Sequence, residues 1–113
     1  MLLVQNEVVS VEYKQIKQAI DISEIEYIEA REWLSIIYTS GRNIICAERL
    51  KDLQTAFTKY RFIRCHKGYI VNMSKIATIN SRNILLSSGT IIPIGRAYRE
   101  IVRQQLNDFL ADT

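Results

Sequence analysis

The segment Phe62-Ile63-Arg64-Cys65-His66-Lys67-Gly68-Tyr69-Ile70-Val71-Asn72 sets two cations, an imidazole and an aromatic ring among β-branched neighbours. Lys67 and Gly68 fall where two strand patterns break, so a cation is offered at a loop. A second cation, Arg96 in Ile92-Pro93-Ile94-Gly95-Arg96-Ala97-Tyr98, closes a strand just before a helix. Arg and Lys at loop tips suit bidentate or point contacts to guanine edges and phosphates. Arg64 and Arg99, close by in sequence, would add phosphate contacts. Taken singly, each of these residues also reads as an ordinary surface cation near a turn.

Other chemistries find less support. His66 is the only histidine and adjoins Cys65. Neighbours on an extended strand point to opposite faces, so a Cys–His dyad is not expected. Glu26, Glu29 and Glu32 are spaced like paired carboxylates, but no other feature of a hydrolase accompanies them. The four glycines are isolated, so there is no Gly-rich phosphate loop. Two cysteines and one histidine are too few and too scattered for structural zinc. Cys46 and Cys65 read as small buried hydrophobes. No enzyme, metal or cofactor is expected.

Charge is unevenly distributed. Residues 1–57 carry six Lys/Arg against nine Asp/Glu, a net of −3; residues 58–113 carry nine against three, a net of +6. From Lys59 to Arg103 the only acid is Glu100. One-sided basicity on a strand-rich background suits a polyanion; the alternative reading is a solvated face balanced in space by the acidic half.

The elements that must position these residues follow from periodicity. The chain has 113 residues, enough for one domain, and 48% are hydrophobic against 24% charged, a globular balance. Eighteen Ile and six Val against one Pro favour strands. Residues 2–20 predict one or two lead-in strands. Strands follow around Ile25–Ile28, Leu34–Thr39 and Ile44–Cys46, broken by Ser40-Gly41-Arg42-Asn43. Leu50, Leu53 and Phe57 recur at helical spacing within 48–60. Five short strands lie between Phe62 and Ile94. A final helix over 97–110 aligns Tyr98, Ile101, Val102, Leu106 and Phe109. The expected fold is mainly β: a sandwich of small antiparallel sheets with two short helices. About 36 residues of mostly strand pattern separate the helices, which argues against a helix-turn-helix. No apolar run is long enough to span a membrane, and the N-terminus lacks the pattern of a signal peptide, so the expected location is cytoplasmic.

Three blocks together resemble the signature of the LytTR DNA-binding domain: Ile25-Glu26-Tyr27-Ile28-Glu29-Ala30, the Phe62–Asn72 string, and Ile92-Pro93-Ile94-Gly95-Arg96. The similarity covers roughly residues 15–110, with residues 1–14 read as an extension or lead-in strand and 15–113 as the domain. It implies a bacterial transcription-factor module, usually the output domain of a two-component response regulator. Such domains insert loops into successive major grooves of double-stranded DNA. Carried over by position, the implied contacts are Arg31 to Trp33, Lys67 and Arg96, with His66 in a phosphate or structural role. Gly68 and Gly95 stand where serine is common. Trp33 reads either as a ring against DNA or as core. The segment before residue 15 is too short for a receiver domain. The chain therefore reads as a stand-alone regulator or an excised output domain, with a receiver in cis or a second copy on repeated sites as partner. The alternative is a non-enzymatic β module that binds an acidic protein or a nucleotide ligand. RNA is disfavoured, because single-strand platforms expose two or three aromatics and here only Tyr69 follows the cations.

Overall fold

Among the described residues, the β-branched alternation produces eleven strands in three antiparallel sheets. The computed structural model describes residues 2–5 and 7–111. Strands β1 (Leu3–Gln5), β2 (Val8–Tyr13) and β3 (Ile16–Asp21) form the first sheet. The N-terminal segment thus holds three strands where one or two were expected. The position between residues 14 and 15 is the tip of the β2–β3 hairpin.

The central sheet has five strands in the order β6 (Asn43–Cys46), β5 (Leu34–Thr39), β4 (Ile25–Arg31), β8 (Tyr69–Asn72) and β7 (Phe62–His66). Strands β9 (Ile76–Ile79), β10 (Asn83–Leu86) and β11 (Ile91–Pro93) form the third sheet. Gly89, at φ 96°, turns β10 into β11 through a backbone conformation that disfavours any side chain.

The two faces of the central sheet bury separate cores. On one face Ile25, Ile28, Ile37 and Ile70 pack with Val9, Val11 and Ile20 of the first sheet. Helix α1 (Leu50–Ala56) closes this core with Leu50, Leu53 and Phe57, as their spacing predicts. The helix is shorter than 48–60. A 3-10 turn over Thr58–Tyr60 follows it, and Arg61 ends the turn in the left-handed region at φ 63°. On the other face Ile63, Cys65 and Val71 meet Ile84, Leu86, Ile92, Ile94 and Val102. β8 contributes Ile70 to one core and Val71 to the other, which explains its unbroken apolar reading.

Helix α2 (Arg99–Ala111) follows a 3-10 turn over Arg96–Tyr98 and buries Val102, with Tyr98, Leu106 and Phe109 half-buried beside it. Ile101, expected on that stripe, is exposed instead. One residue is 100° of helix rotation, so Ile101 and Val102 cannot both face the sheet.

Asn72, the last residue of the central motif, is buried and structural. Its Nδ2 donates to the Ile25 carbonyl at 2.8 Å, and its Oδ1 accepts from the Ser74 amide and hydroxyl at 3.0 and 2.7 Å. Among the described residues, no helix is long and apolar enough to cross a membrane.

Candidate nucleic-acid interface

Each signature block contains or leads into a turn, and backbone hydrogen bonds lash the three turns together. The first is the tip of the β4–β5 hairpin, where Arg31 pairs with Leu34 and Glu32-Trp33 form the loop. Glu32 sits at φ 55°, a costly angle for a residue with a side chain. Trp33 is 71% exposed, so it is a solvent-facing ring and not core.

The second turn, Lys67-Gly68, joins β7 to β8. The pairing slips between Arg64 and His66, so Cys65 is an extra residue on β7, a bulge. Neither turn residue has positive φ. Side chains hold the turn from inside instead. Arg64 donates from Nε to the His66 carbonyl at 2.9 Å and from Nη2 to the Lys67 carbonyl, while Nη1 reaches Gln54. His66 Nδ1 accepts the Gly68 amide at 3.0 Å. The imidazole packs edge-on against Tyr69, with ring centroids 5.5 Å apart. Lys67 itself is exposed.

The third turn brings Gly95 under His66. The Gly95 amide donates to the Cys65 carbonyl at 2.9 Å, and the Ile94 amide donates to the Arg82 carbonyl at 2.7 Å. A Cβ on Gly95 would come within 3.1 Å of the Tyr98 ring and 3.6 Å of the His66 backbone. Gly95 has ordinary extended angles, φ −66° and ψ 145°. Close packing, and not conformational freedom, is what favours glycine there. Arg96 and Arg99 emerge exposed beyond it.

The first turn joins the second through the Ala30 amide, which donates to the Gly68 carbonyl at 2.9 Å. The edge therefore presents Arg31, Trp33, Lys67, Arg96 and Arg99 outward, while Arg64 and His66 brace it from beneath. The sequence reading did not single out the polar cluster behind the first turn. Glu29 accepts from Tyr38, Tyr69 and Arg31 at 2.8, 3.0 and 3.2 Å. The signal for it is the i, i+2 spacing of Tyr27, Glu29 and Arg31, which puts all three on one face of β4. Burial, followed by the bond to Glu29, pushes the Tyr38 phenol up to about 12 and raises Tyr69 in the same way.

Catalytic geometry does not form around Cys65. Its thiol is buried, donates weakly to the Tyr69 and Pro93 carbonyls, and is pushed up to about 12 by burial. Cys46 is likewise buried, and both cysteines are free thiols. Among the described residues, no three His, Cys, Asp or Glu side chains converge as metal ligands.

Cations displayed on turns cross-linked into one edge of a β sandwich suit a polyanion such as nucleic acid. The profile of the LytTr DNA-binding domain matches residues 16–107, and the chain belongs to that family. An uncharacterized response regulatory protein of Yersinia pestis is 29% identical over 75% of the chain. The CO-responsive transcriptional regulator RcoM of Rhodospirillum rubrum is 27% identical over 69% of it. The chain spans little more than a third of these relatives, 37% and 36% of their lengths. The solved LytTr DNA-binding domain of a Bacillus cereus response regulator shares the fold. It superposes with a TM-score of 0.80 at 22% identity, over 90% of this chain and 98% of that one.

Proposed function

We propose that this chain binds duplex DNA sequence-specifically, with Lys67 and Arg96 reading base edges from adjacent turns. The reading rests on one observation above all. Two exposed cations sit on turns whose backbones are fixed to each other through the Cys65 and His66 region. A base contact needs a donor held in place, whereas a phosphate contact needs only a charge nearby. Lys67 is a point donor, and Arg96 offers the fork that matches the O6 and N7 acceptors of guanine.

In this reading the adjacent β4–β5 and β7–β8 tips enter the duplex together at a major groove, which is wide enough for a two-stranded ribbon. Trp33 stacks or wedges at the first tip, while Arg99 meets phosphate beside Arg96. Arg64 and His66 act mainly by shaping the second turn. The chain serves as the output module of a bacterial, cytoplasmic response regulator, with a receiver in cis or a second copy on repeated sites. Catalysis and a cofactor form no part of the proposal.

Selection from random duplexes, followed by titration at several salt concentrations, tests it. The expected result is an enriched motif and a slope of log K against log salt of about −4 to −6, at roughly −0.9 per neutralised phosphate. A slope near zero with no enriched motif would favour an acidic protein or nucleotide ligand instead.

A further inference from the structure

We infer that Glu29 is a positioning residue for sequence reading, its carboxylate aiming the Arg31 guanidinium at a guanine edge and cancelling its pull on phosphate. The inference rests on the DNA-binding reading above and adds a residue and a base class to it. Glu29 lies two residues before the end of β4, opposite Tyr69 on β8 and Ile36 on β5. Its side chain is only 19% exposed, yet Arg31 beside it is 60% exposed. The pair therefore spans the sheet face and the solvent edge.

The carboxylate is held from three directions. Oε1 accepts from the Tyr38 hydroxyl at 2.8 Å and from Arg31 Nε at 3.2 Å, while Oε2 accepts from the Tyr69 hydroxyl at 3.0 Å. The tyrosines are themselves fixed. Tyr38 stacks on Tyr27 with centroids 4.3 Å apart and planes 10° off parallel, and Tyr69 packs against His66. The raised phenol of Tyr38 agrees with donors that stay protonated across the working pH range.

Two consequences follow for Arg31. With Nε taken, the free donors are those of the two terminal nitrogens, which match the paired acceptors of guanine. The ion pair also carries no net charge, so contact with a phosphate releases few counterions and gains little. Arg31 thus favours hydrogen-bond recognition over general attraction. Through Tyr69 the same carboxylate ties the aim of the first turn to the second.

The test compares wild type, Glu29→Gln, Arg31→Ala and the double variant Tyr38→Phe/Tyr69→Phe on the selected duplex and a scrambled one across salt. Glu29→Gln should weaken selected-duplex binding about 10-fold, strengthen scrambled binding several-fold, and steepen the salt slope by about 0.9. Arg31→Ala should cost roughly 10- to 100-fold on the selected duplex, with guanine preference lost at one position, and a smaller loss on the scrambled duplex because the Glu29 charge is left unpaired. The double variant keeps the charge and loses the aim, so only selected-duplex affinity should fall.

Equal losses of Glu29→Gln on both duplexes, or wild-type behaviour on both, would overturn the inference. If Glu29→Gln loses its cooperative melt, the double variant decides by the same readings. A wild type without salt-dependent duplex binding removes the DNA reading itself. Wild-type binding with an unchanged preference in these variants removes only the role of Glu29.

Discussion

Two hairpin turns each offer a lysine at the tip, and the structure treats them differently. At the β2–β3 turn, Lys14 and Gln15 both sit at positive φ, 50° and 66°, and the Lys14 ammonium lies 5.4 Å from the Tyr13 ring centroid. That turn carries its own strain and leans on its own neighbour. The β7–β8 turn has no positive φ. It is held by Arg64, by His66, by the Ala30 amide and by the bulge at Cys65. Charge at a tip is common to both turns. External bracing belongs to one of them, and bracing is what a base contact demands. The comparison separates a solvated lysine from a reading lysine without reference to net charge.

The largest effect should come from breaking what the turns share. Phe57 is fully buried in the core beneath the first two sheets. Phe57→Ala should cost about 3–5 kcal/mol through the cavity it leaves. Denaturant melts would show this as a lowered midpoint. A wild-type midpoint would mean that the helix does not close the core.

Next, Arg64→Ala attacks the bracing directly. It leaves the carbonyls of His66 and Lys67 without their shared donor, a loss of about 1–3 kcal/mol. It should also weaken selected-duplex binding, although Lys67 remains. The matching change at the other turn has the opposite sign. Gln15→Gly relieves a left-handed side chain and should stabilise by up to about 1 kcal/mol, with binding untouched. Chemical melts of both variants test the contrast, and a destabilised Gln15→Gly would break it.

The last effect, absent at neutral pH, concerns the bulge. The folded Cys65 thiol is pushed up to about 12 from an ordinary 9.0. Burial favours the protonated form, so its contribution is complete below pH 9 and fades as pH rises toward 12. Wild type should lose stability over that window, and Cys65→Ala should lose less. An identical pH slope in the two proteins would contradict the buried thiol.

Much of this arrangement is legible in the chain. The i, i+3, i+7 spacing of Leu50, Leu53 and Phe57 marks a buried helix face, and Lys67-Gly68 marks a strand break. What sequence cannot show is long-range register. Tyr69 reaches Glu29 across 40 residues because β4 and β8 pair in the middle of the sheet. Nothing local announces that contact. Gly95 is similar: its reason is the Tyr98 ring and His66, which only the folded edge brings together. Trp33 is ambiguous in sequence because an exposed tip and a buried strand both tolerate tryptophan; its 71% exposure decides for the tip. Ile101 misleads because adjacent apolar residues on a helix leave the phase of the stripe open.

The control for charge also follows from the structure. Arg103 is paired with Glu100, so Lys59 makes the better comparator for general attraction and Lys14 the comparator for a tip lysine without bracing. The central claim is tested most directly by titrating Lys67→Ala, Arg96→Ala, Lys14→Ala and Lys59→Ala against selected and scrambled duplexes. Lys67→Ala and Arg96→Ala should each weaken selected-duplex binding roughly 10- to 100-fold while scrambled binding barely moves. Lys14→Ala should change neither, and Lys59→Ala should lower both slightly and together. If Lys67→Ala and Arg96→Ala reduce both duplexes by the same factor, the braced turns hold phosphate and do not read sequence.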